Sequence, residues 1–169
     1  GFTSVFWSSP VGVTEYKTAF GETKTIVLPD SSVVILNSNS SLRLNPVWKS
    51  TEPRVVWLDG EAFFSVIHKK NNQPFNVKPG EDVAIEVLGT TFNIKNGPAG
   101  TNVSLNTGKI RIGLKDDATT IAMQPGDFLR YSPRDKHLLR KKVQPELYSE
   151  WKEEKLSLDK VVPSAMPPI

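Results

Sequence analysis

From Thr14 onward the apolar residues recur every second position, which is the period of a strand with one buried face. Thr25-Ile26-Val27-Leu28 leads into Pro29-Asp30-Ser31, where proline fixes φ and aspartate caps its own backbone, so a turn is predicted there. In the next run Val33 and Ile35 face one way while Val34 and Leu36 face the other. A strand apolar on both sides is covered on both sides or lies at a sheet corner. Leu42 and Leu44 end a further strand before Asn45-Pro46. Runs at 54–58 and 61–67 flank Asp59-Gly60, a dipeptide that predicts a tight hairpin. Short strands then follow over 75–77, 83–88, 90–94, 103–105, 109–114, 121–123 and 128–131. Pro79-Gly80, Gly89, Asn96-Gly97-Pro98, Thr107-Gly108 and Gln124-Pro125-Gly126 separate them.

One segment departs from this period. Pro145 to Lys152 has proline at a first helical turn, Glu146 near the positive end, and Leu147 and Trp151 four apart on one face. A short helix is expected there, with a proline-broken tail to Ile169. The fold class expected is therefore all-β: two antiparallel sheets forming a sandwich or jelly roll, with a short C-terminal helix. The divisions expected are a lead-in over 1–17, a sheet domain over 18–143, and a helix and linker over 144–169. The core is expected from Val33, Ile35, Leu36, Phe63, Phe64, Val66, Phe75, Val87, Leu88, Phe92, Ile94, Val103, Ile110, Ile112 and Met123.

Composition narrows the function classes. Hydrophobic residues are 38% of 169, ordinary for a small sheet protein with wet faces. The net charge of +3 is far below the concentrated basic charge of a nucleic-acid binder. The basic stretch from Arg134 to Lys142 reads instead as a strand with one solvated face. With no cysteine, neither a disulfide nor a thiolate metal site can form. No run approaches the ~20 apolar residues of a membrane helix. Because Gly1 is not methionine, any anchor is expected upstream.

Candidate chemistry is sparse. His68 and His137 stand far apart without the converging ligands a metal needs. The serines at 31–32 and 38–41 occupy turn positions and read as local backbone bonding. Asp59 and Glu61, two apart, could bring two carboxylates together for glycosidic acid/base work, but packing beside Ala62-Phe63-Phe64 is the favoured reading. Trp48, Trp57 and Tyr131 could stack on sugar rings if exposed. No enzyme activity, cofactor or metal is expected.

Four phrases in order carry a resemblance over roughly Thr18 to Tyr131. They are Leu28-Pro29-Asp30, Leu36-Asn37, Gly60-Glu61-Ala62-Phe63-Phe64 and Leu88-Gly89-Thr90-Thr91-Phe92-Asn93. The chain resembles the periplasmic domain of FecR-type anti-sigma regulators. Ser31 stands where the family usually has glycine, so a turn that needs no positive φ is expected. The resemblance implies a non-enzymatic signalling module in the periplasm, part of a single-pass inner-membrane protein. Its implied partners are the signalling domain of an outer-membrane TonB-dependent transporter and, through a cytoplasmic segment, an extracytoplasmic-function sigma factor. The motif residues themselves are expected to be structural. The rival reading is a carbohydrate-binding or carbohydrate-cleaving jelly roll.

Overall fold

The computed structural model of the chain describes residues 12–143 apart from 116 and 119. The helix expected over Pro145 to Lys152 and the tail beyond it lie outside the described residues. Among the described residues thirteen strands form one curled, mixed sheet. Its centre is β5 (Arg54–Val66), whose two halves belong to two different layers.

Around the first half of β5 run β1 (Thr14–Lys17), β4 (Ser41–Leu44), β6 (Phe75–Lys78), β7 (Val83–Val87), β10 (Ile110–Leu114) and β11 (Thr120–Met123). Their order is β1-β4-β5-β6-β7-β10-β11. Around the second half run β2 (Lys24–Val27), β3 (Val33–Leu36), β8 (Thr90–Gly97), β9 (Gly100–Thr107), β12 (Asp127–Ser132) and β13 (His137–Lys142), in the order β2-β3-β5-β8-β9-β12-β13. The inner faces of the two layers share one core. Every pairing is antiparallel except β5 with β6, which is parallel, so the sheets are not purely antiparallel as the sequence suggested.

Asp59-Gly60 is not a hairpin. The strand continues through it unbroken and bends there into the other layer. Gly60 has φ +98°, and a Cβ at that position would lie 2.2 Å from Ser40 Oγ and 2.9 Å from Ser40 Cα. Only glycine permits both the backbone angle and the close approach of the β3–β4 turn.

The core follows one parity of β5. Arg54, Val56, Leu58, Ala62, Phe64 and Val66 all point inward. Phe64 stacks on Phe92 at 5.0 Å and meets Phe75 edge-on at 6.4 Å. Eleven of the fifteen core residues expected are buried, and four are not. Ile35 is exposed and Val33 and Phe63 are half-buried because they occupy the outward parity of their strands, and Leu88 is exposed in the bend just after β7. Val34, Leu42, Leu44, Val56, Val77 and Ile85 take up the interior in their place.

The turn after Leu28 also differs from expectation. Ser31 N–H donates to Leu28 O at 2.9 Å, and Ser31 itself sits at φ +74°. The turn does need a positive φ, and serine adopts it where glycine would do so without steric cost.

Candidate functional surface

Asp30, Asn37, Glu61 and Asn93 of the four phrases enter two knots, both inside the architecture. The first closes β5 on itself. Thirteen extended residues would span about 40 Å, yet Arg54 at one end donates from Nη1 to Ile67 O, just past the other end, at 2.9 Å. The strand is curled until its ends nearly touch, and Arg54 is the clasp. Its guanidinium also donates to Asp30 Oδ2 at 2.6 Å and to Gln73 O at 2.6 Å, and it lies over the Phe75 ring at 5.3 Å. The Arg54 and Asp30 side chains are 1% and 4% exposed, so the ion pair is almost wholly dry. Asp30 further accepts from Ser32 N–H and Ser32 Oγ, and Ser32 Oγ accepts from Ile67 N–H.

The second knot spans β3, β5 and β8. Asn37 Nδ2 donates to Glu61 Oε1 at 3.0 Å, and Asn93 Nδ2 reaches toward Glu61 Oε2 at 3.5 Å. Asn37 N–H donates to Glu61 O, and Glu61 N–H donates to Ser40 Oγ. Thr18 joins in: its Oγ1 accepts from Ser40 N–H. In the fourth phrase, Thr90 is buried and donates from Oγ1 to Lys109 O, while a Cβ on Gly89 would lie 2.7 Å from His68 Cβ.

Two open grooves lie on the outside. One, of about 650 Å³, runs past Leu88, Gly89, Thr90, Lys109 and His68. The other, of about 620 Å³, lies over β4, β5 and β6 and includes Arg43, Trp57, Asp59 and Lys78. Asp59 lines this second groove, whereas Glu61, past the bend at Gly60, is bound to Asn37. The structure therefore separates the two carboxylates rather than presenting them to one cleft. Of the aromatic platforms considered, Tyr131 is buried, and Trp48 is half-buried with its ring edge-on to Phe75 at 5.9 Å. Trp57 alone of the three is exposed. His68 bonds Asn72 Oδ1 through Nε2 at 2.6 Å, and His137 opens β13 at the surface. Among the described residues no three histidine or carboxylate side chains gather to hold a metal ion.

The buried arginine was not singled out from the sequence, although a signal for it existed. Arg54 stands two and four residues before Val56 and Leu58, so alternation alone puts it on the inward face. An arginine there requires a carboxylate and carbonyls to meet it.

The FecR protein family matches residues 14–111, which contain both knots in full. The chain belongs to the FecR family. Two crystal structures of a proposed anti-sigma factor from Parabacteroides distasonis, at 1.65 and 2.50 Å resolution, resemble this FecR chain with a TM-score of 0.73 and 28% identity. They cover 82% and 83% of it, while the match spans 64% of the length of those chains. No curated protein sequence matches the chain. The FecR match and the anti-sigma neighbours support a signalling, regulatory role. Within it, the motif residues Asp30, Asn37, Glu61, Thr90 and Asn93 hold strands together.

Proposed function

We propose that this chain is the non-enzymatic periplasmic signalling domain of a single-pass inner-membrane anti-sigma regulator. It relays the state of an outer-membrane TonB-dependent transporter to a cytoplasmic extracytoplasmic-function sigma factor. The observation that carries the reading is the role of the motif residues. Asp30, Asn37, Glu61 and Asn93 of the FecR phrases clasp β5 and tie β3, β5 and β8, which suits a stiff relay. A relay works by differential affinity: a partner alters signalling only as far as it binds two states of the regulator unequally.

The test is binding and output together. The whole periplasmic region, titrated with the signalling domain of its cognate transporter in a calorimeter, should bind it. Deleting the gene should change transcription of the sigma-dependent genes. Absence of binding together with an unchanged regulon would end this proposal.

A further inference from the structure

The groove over β4, β5 and β6 has no part in either knot, and its chemistry is specific. Register places Arg43 beside Trp57 on one side and Lys78 beside it on the other. The Arg43 guanidinium lies 5.6 Å from the centre of the Trp57 ring, a cation–π contact that leaves the residue 36% exposed. One strand row further on, Ser41 pairs with Asp59. Among the described residues the side chains of Arg43, Asp59 and Lys78 make no hydrogen bond or ion pair. Behind the groove Gly60 lies close against Ser40, and at the rim Pro79 O accepts from Asn96 Nδ2.

We propose that this groove is a saccharide-binding site. A sugar ring offers an apolar C–H face and a rim of hydroxyls that both donate and accept. The groove offers the complement, an indole with an acceptor carboxylate and donor cations set around it. Its charges balance, with Arg43 and Lys78 against Asp59 and Glu81. A phosphate or nucleic acid would meet the two carboxylates, and a purely apolar ligand would strand all four charges. Its volume of about 620 Å³ falls within the range of small-molecule sites and is open at the surface, as a chain of sugars requires. The other groove, past Leu88 and His68, is lined by no Phe, Tyr or Trp, and its Glu86 and Arg111 face each other at 3.6 Å.

The experiment screens the protein on a glycan array of hexose, pentose and uronic-acid oligosaccharides, then titrates the strongest binder while following tryptophan fluorescence. Wild type should bind, Trp57→Ala and Asp59→Asn should each weaken binding about tenfold or more, and Trp57→Phe should retain part of it. Phe20→Ala, 83% exposed and outside the groove, should bind as wild type does. Circular dichroism checks folding, which the outward Trp57 should not affect. An array without a binder, or binding indifferent to Trp57→Ala, overturns the proposal. It is equally overturned if Trp57→Ala abolishes binding of a transporter's signalling domain while no saccharide binds, since the face then belongs to a protein partner. Failure here leaves the relay reading standing, because that reading rests on the other experiment.

Discussion

Removing the Arg54 clasp should be among the most damaging single changes available to this domain. Arg54→Met keeps an unbranched side chain over Phe75 and removes only the guanidinium. Asp30, its side chain 4% exposed, then loses its cation, and the carbonyls of Ile67 and Gln73 lose their donors. Breaking a buried ion pair by deleting one partner costs about 3–5 kcal/mol, against a total stability of about 5–15 kcal/mol for a domain. Part of the partner's loss is offset, because Asp30 keeps its two bonds from Ser32. Asp30→Asn should cost less, and the double variant less than the sum of the singles, with a coupling of about 1–3 kcal/mol. Urea unfolding followed by tryptophan fluorescence is the assay. Trp48 lies against Phe75, the ring under the guanidinium, and so reports on this end of the core. A loss below about 1 kcal/mol for Arg54→Met, or strict additivity in the cycle, would show that the curl of β5 does not depend on the clasp.

Four further outcomes are expected. Ser31→Gly should stabilise the domain by about 1 kcal/mol in the same assay, since an exposed serine at φ +74° carries a steric cost that glycine does not. Gly60→Ala should destabilise by roughly 2–5 kcal/mol, combining the positive φ with a Cβ driven into Ser40; an unchanged urea midpoint would contradict the layer change described at that residue. Phe64→Ala should cost about 3–5 kcal/mol, because the ring is wholly enclosed between Phe92 and Phe75. Burial alone would raise the Asp127 carboxyl, but hydrogen bonds from Lys142, the Gln124 amide and Arg140, with the Lys142 charge, outweigh it and hold it below its ordinary value. Its stabilisation is therefore full above the ordinary carboxylate range near pH ~4 and is lost as pH falls through the lowered value, so Asp127→Asn should flatten the acid limb of a stability-versus-pH curve.

Much of the fold was legible because alternation is strict. The strands expected around 25–28, 33–36, 61–67, 90–94 and 128–131 all form, as does the basic strand β13. The misread hairpin shows where composition outvoted period. A two-residue turn at Asp59-Gly60 would put Leu58 and Glu61 on the same face and turn Phe63 and Ser65 inward. The apolar positions Val56, Leu58, Ala62, Phe64 and Val66 instead keep one parity across the dipeptide, which fits only an unbroken strand. The same parity would have sent Phe63 outward and Arg54 inward. The partners of Arg54 were less accessible to any local reading. Asp30 is 24 residues upstream, and no period connects a turn after β2 with the start of β5.

That distribution bears on where function can reside in a FecR domain of this kind. Along β5 the even positions are committed to the core and to the clasp, and Glu61 is committed to Asn37. Asp30, Asn37, Glu61 and Asn93 of the recognisable phrases bond within the sheet. The outward positions of β5 include Trp57 and Asp59 in the half preceding Gly60. The bend at Gly60 turns that half into one layer while the knot of Asn37, Glu61 and Asn93 stiffens the other. A ligand on the first half thus presses on a strand whose far half is anchored and whose ends are clasped together.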